Sequence, residues 1–170
     1  YTWNDEAEAF WKEESVLKNT IPLELNEGEL RHRDNRSSEL LLYGYIPLMI
    51  SAQCVRKNLF GCTGKGETVY LKDRYNSEFP VKCCCTPWES ACPEKAKYCY
   101  NIIYNSIPYG LSGEKEQVEK LKLQSLRLAF TIEKPSEARA ILEEFRGIYH
   151  ENGRPSGRKY TKGHFKRGAE

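Results

Sequence analysis

The sequence predicts an α/β fold built around a largely parallel sheet. Segments with helical apolar spacing alternate with short strand-like runs through the first fifty residues, and again from about residue 114. Between these two regions lies a stretch that holds all seven cysteines: Cys54, Cys62, Cys83, Cys84, Cys85, Cys92 and Cys99. The 170 residues, 39% hydrophobic and 29% charged, suffice for one sizeable core but hardly for two.

The elements follow in order. Asn4 or Asp5 can cap a helix to about Leu17, with Ala7, Phe10, Trp11 and Leu17 near one face. Thr20 to Leu25 reads as a short buried strand, and Glu27 to Arg33 as a brief polar helix. Glu39 to Ile50 reads as a second strand, bent at Pro47. Val69–Arg74 and Glu78–Lys82 flank Tyr75-Asn-Ser77 as a β-hairpin, with Asp73 bonding turn amides. Asn101 to Tyr104 is β-prone. A helix over Glu114–Leu123 leads into a strand over Ser125–Ile132. Pro135 and Ser136 open the last helix, which runs through Ala138, Ile141, Leu142 and Phe145 and stops near Gly147. Three strands rarely close a domain, and the chain begins at Tyr1 rather than Met. Further upstream sequence is therefore expected to complete the sheet.

Charge is unevenly spread. Residues 154–170 carry Arg154, Arg158, Lys159, Lys162, Lys166 and Arg167 against Glu170 alone. That local +5 leaves −3 for everything upstream. Tyr160, His164 and Phe165 interleave with these cations, a pattern suited to phosphate contact and base stacking. The other reading is a solvated terminal tail. No apolar run reaches the roughly 20 residues of a membrane helix. The longest, Leu40 to Ile50, is broken by Gly44 and Pro47. Without a secretory leader, and with an odd cysteine count, a disulfide framework loses support and a reducing cytoplasm is expected.

So local a block of thiols points to a metal or cluster site, the alternative being several inert buried cysteines. Cys54 and Cys62 flank a loop containing Gly61. If Cys83 to Cys85 continue the hairpin strand, Cys83 and Cys85 share one face and Cys84 takes the other. Soft sulfur suits iron and zinc alike. Hydrolytic signatures are missing. His32, His150 and His164 are the only imidazoles, and no His-Glu-x-x-His pair or Gly-x-Ser-x-Gly elbow occurs.

Tyr43-Gly-Tyr-Ile-Pro-Leu-Met49, Leu71-Lys-Asp-Arg74 with Phe79-Pro-Val81, Asn101-Ile-Ile-Tyr-Asn-Ser-Ile-Pro108 and Gly163-His-Phe-Lys-Arg-Gly168 appear together. With Glu24-Leu25, this combination resembles the later part of the U-thirty-two peptidase family, the collagenase-like proteases. The resemblance implies the C-terminal portion of a (β/α) barrel with an inserted cysteine-rich β-hairpin region. Residues 1–53 would be βα units, 54–100 the cysteine-rich insertion, 101–150 a final βα unit and 151–170 the basic tail.

The resemblance also implies two competing activities. One is proteolysis of collagen-like or small peptides. The other, from related branches, is hydroxylation of an RNA base or a small aromatic substrate, with cysteines holding an iron–sulfur cluster. The family's peptidase run Glu-x-Phe-x-His-Gly-Ala-x-Cys is not in this sequence and is expected to lie upstream of it. Cys54, Cys62 and Cys99 resemble the family's ligand positions. Cys85 is the expected fourth ligand, with Cys83 and Cys92 as substitutes and zinc as the alternative metal. In a barrel, Glu24 and Asn26 would stand at a strand's C-terminal end, where working groups gather. Glu24 is thus a candidate base and Arg127 a candidate holder of an anionic substrate. The bland alternatives are a capping or salt-bridging role for Glu24 and, for Arg127, an ion pair with a neighbouring barrel carboxylate such as Glu24. Expected partners are RNA, through the basic tail, and the missing N-terminal part of the same protein. A third possibility is a non-catalytic, zinc-stabilised RNA-binding module.

Overall fold

A computed structural model describes residues 2–61, 66–86 and 98–168, with the backbone alone described at 85, 86, 98 and 99. The chain divides into two compact units, one formed by Tyr1–Gly44 with Pro108–Glu170 and the other by Tyr45–Ile107.

In the first unit, α1 (Asp5–Glu13) starts where Asn4 accepts the Ala7 amide at 2.8 Å. It ends sooner than its apolar spacing predicts, because Ser15 takes a left-handed backbone with φ 64°. Its buried side chain is Glu8, and Phe10 and Trp11 are exposed. β1 is only Asn19–Thr20, since Pro22 has no N–H to continue a ladder. α2 (Glu27–Arg31) opens with a capping box between Asn26 and Glu29.

β2 (Ser38–Gly44) is the centre of this sheet and buried almost throughout, as a strand covered on both faces should be. β1 and β8 (Ser125–Ala129) pair with it in parallel, while β7 (Tyr109–Gly110) pairs antiparallel at Tyr43 and Gly44. α4 (Lys115–Lys120) precedes β8. α5 (Pro135–Glu151) follows it, with Pro at its start and Asn152 in the left-handed region closing it. Tyr43, Ile141, Phe145 and Phe165 are buried at the core of this unit.

In the second unit, β3 (Pro47–Ser51), β4 (Thr68–Lys72), β5 (Glu78–Thr86) and β6 (Tyr98–Tyr104) form a wholly antiparallel sheet in the order β3-β6-β5-β4, with α3 (Val55–Phe60) between β3 and β4 in the chain. The hairpin between β4 and β5 is as predicted. Asp73 accepts the Tyr75 and Ser77 amides, each at 2.8 Å, and Asn76 takes the positive φ the turn needs.

The expected barrel portion is not what forms. The described strands make two sheets, one mixed and one antiparallel, and neither closes. Two local causes are visible. The apparent strand over Glu39–Ile50 breaks between Gly44 and Pro47, so β2 and β3 join different sheets. The antiparallel β7 then pairs with the end of β2, where a crossover pattern would demand a parallel neighbour. Among the described residues no helix is long and apolar enough to cross a membrane.

Candidate metal centre

β3 ends at Ser51, and three residues later Cys54 caps α3. Its Sγ accepts the Lys57 amide at 3.4 Å, where a hydroxyl or carboxylate usually sits. The chain returns through β4, and β5 carries Cys83 to the same spot. The two thiols are buried and hydrogen-bonded to one another. Salt bridging of Arg56 on α3 to Glu67 at 2.8 Å, with the Cys83 amide donating to the Glu67 carbonyl, ties helix and strand together.

The two thiols are not equivalent. The Lys57 amide outweighs burial at Cys54 and, with the Arg56 amide, the Asn101 side chain and Cys83, holds its thiol below the ordinary value. Burial, followed by the charge of Cys54, pushes Cys83 up. Cys54 is therefore the more readily deprotonated of the two thiols, and a bound metal ion would draw the protons off both.

Asn101 completes the cluster. It stands opposite Cys83 in the β5–β6 ladder and is fully buried, and its Nδ2 donates to the Gln53 carbonyl at 2.8 Å. Its Oδ1 has no hydrogen-bond partner among the described residues. Two residues along the ladder Cys85 stands opposite Cys99. By the two-residue alternation of strands, backbone positions 83, 85, 99 and 101 lie on one face. Cys84 is only half-buried and pairs in register with Tyr100 on the other face, matching the expected alternation. Cys62 and Cys92 lie outside the described residues. Among the described residues no group of three or more His, Cys, Asp or Glu side chains is poised around a metal. A Cys54–Cys83 pair of soft donors, with two more cysteine positions on the adjoining ladder, suits a thiolate-held metal.

The two candidate catalytic residues stand apart from this cluster, in the first unit. Glu24 is exposed in a turn after β1, not at a strand's end, and lines a cavity of about 220 Å³ with Trp3, Pro22 and Leu23. Asn26 beside it serves the capping box of α2. Arg127 on β8 pairs with Glu39 on β2 at 3.2 Å rather than with Glu24. Glu39 also meets Lys18 at 3.0 Å, and although burial resists its charge, these cations hold its carboxyl below the usual range. This is a partly exposed ion-pair network across parallel strands.

The basic C-terminal segment is built into the first unit. Thr161 bridges to Tyr109, the Gly110 amide donates to the Thr161 carbonyl, and Phe165 is buried. Lys162 and Lys166 both turn to the buried Glu114, and Arg158 pairs with Glu144 at 3.5 Å. Half of the six cations are thus matched internally, and Arg154, Lys159 and Arg167 have no ion pair among the described residues.

Sequence spacing had offered Cys83 only as a substitute ligand and had not singled out Asn101. The convergence of Cys54 with Cys83 depends on the sheet order, in which β6 separates β3 from β5. Comparison with protein-family models, curated proteins and solved structures finds no match to this chain.

Proposed function

We propose that this chain is part of a U-thirty-two family enzyme whose cysteines hold an iron–sulfur cluster and which hydroxylates an RNA base or a small aromatic substrate. The observation that carries this reading is the meeting of Cys54 and Cys83 in a buried site beside the Cys85–Cys99 rung. The motifs from Tyr43 to Met49 and from Asn101 to Pro108 support the family. Cys54 and Cys83 would hold the cluster, with two of Cys62, Cys85 and Cys99 completing the four thiolates. When bound, the cluster would supply one-electron chemistry.

The chain's own groups have defined parts. The Lys57 and Arg56 amides stabilise sulfur charge on Cys54, and the Asn101 amide holds the loop that carries it. Arg154, Lys159 and Arg167 would meet RNA phosphates. A reducing cytoplasm fits such a set of thiols. The deciding measurement is iron and acid-labile sulfide in anaerobically purified full-length protein. Stoichiometric iron that falls in Cys54→Ser and Cys83→Ser is expected. Iron-free protein would overturn the cluster, and stoichiometric zinc in its place would favour the RNA-binding module.

A further inference from the structure

The C-terminal ends of α2 and α4, with the loops that follow them, line an open cavity of about 310 Å³ in the first unit. Its lining includes Arg31, Arg33, Arg36, Lys120 and Lys122 against Asp34, and with Glu27 and Glu8 pairing Arg31 and Arg33 from beyond the lining a local charge of +2 remains. Such an excess around a concave site focuses positive potential. The volume is at the lower end of ligand pockets, large enough for a small anion with little attached.

The cations differ in how far they are already matched. Arg36 clasps Asp34 through Nε and Nη2, each at 2.9 Å, and Arg31 pairs with Glu27. The Arg33 side chain is buried, binds the Thr2 carbonyl at 2.7 Å and lies 3.5 Å from Glu8, yet its Nε has no partner among the described residues. Lys120 and Lys122 are exposed and have no acidic partner among the described residues. Lys122 also sits at φ 51°, a backbone region where glycine is more comfortable than a long side chain. Asn35 supplies a second unmatched polar atom, its buried Oδ1.

We propose that this cavity binds a phosphate group, held by the Lys120 and Lys122 ammoniums with the guanidiniums of Arg31, Arg33 and Arg36 behind them. Several N–H donors and a surplus of positive charge suit a compact tetrahedral dianion better than a planar carboxylate, for which one bidentate arginine suffices. The phosphate could be free or could end a nucleic-acid chain. The site is independent of the thiol cluster, so it stands or falls separately from the proposed enzymatic role.

Calorimetric titration of the full chain at low salt tests it, with inorganic pyrophosphate, a 5′-phosphorylated dinucleotide and its 5′-hydroxyl counterpart as probes. Saturable pyrophosphate binding is expected, weakened roughly tenfold or more in Lys120→Ala/Lys122→Ala and retained in Lys120→Arg/Lys122→Arg. Both lysines are exposed, so the variants should keep the fold, checked by circular dichroism. Tighter binding of the phosphorylated dinucleotide than of pyrophosphate would assign the site to a nucleic-acid end, and the reverse order to a free phosphoanion. No binding by any probe, or equal binding by wild type and the alanine variant, would overturn the proposal.

Discussion

Asn101 donates its amide to the carbonyl of Gln53, the residue immediately before Cys54, and so fixes the thiol-bearing loop to the middle of β6. Asn101 is fully buried, so replacing it removes the bond and leaves a hole beneath the loop, with the Gln53 carbonyl without its donor. Asn101→Ala is therefore expected to lower stability by about 2 kcal/mol, read from the urea midpoint. A loss below about 0.5 kcal/mol would mean that the loop is held by other contacts.

The two faces of β5 give an internal control for the cluster. Cys54→Ser and Cys83→Ser should lose most of the iron of anaerobic protein. Cys84→Ser, altered on the opposite face, should keep it. Equal loss in all three variants would point to general unfolding rather than ligation.

Glu114 supplies an acid-sensitive lock on the C-terminal segment. Burial works against its charge, but Lys162 and Lys166 prevail and hold the carboxyl below its ordinary value of 4.5. A depressed folded-state value means that the stabilisation is whole above about pH 4.5 and fades as pH falls through the folded value. Glu114→Gln should cost about 2 kcal/mol at pH 7, since both lysines are partly exposed, and should flatten the acid limb of the stability curve. Thermal unfolding from pH 7 to pH 3 would show whether the two proteins converge.

Gly110 leaves no room for a side chain. A Cβ there would lie 2.5 Å from the Tyr160 ring, which packs against Tyr43 and Phe145. Gly110→Ala should destabilise by about 2 kcal/mol through this overpacking. Chemical denaturation measures the loss, and Gly113→Ala, where nothing crowds the added carbon, should cost far less.

Much of the local structure was legible in the chain. Asn4, Asp73 and Pro135 each act where their chemistry predicts, because caps and turns depend on a few neighbouring atoms. The parallel pairing of β2 with β8 also followed from alternating helices and strands. The division at Pro47 was hidden, because Leu40 to Ile50 is apolar across both strands and periodicity does not report which sheet a strand joins. β7 is two residues long, too short for any pattern. The C-terminal segment reads as solvated from its lysines and arginines, yet one aromatic anchor, Phe165, and one buried carboxylate, Glu114, fix it. The pairing of Cys54 with Cys83 needed the strand order, which no spacing of cysteines contains.

Gly44 and Tyr109 are direct neighbours in the ladder, although 64 residues of chain separate them. The cysteine-bearing unit therefore leaves and re-enters its host at a single rung, as a cassette plugged into a hairpin. Such a graft can be lengthened, exchanged or trimmed to a tight turn while β2 and β7 stay zipped, so the inserted unit is free to vary without redesigning the scaffold that carries it.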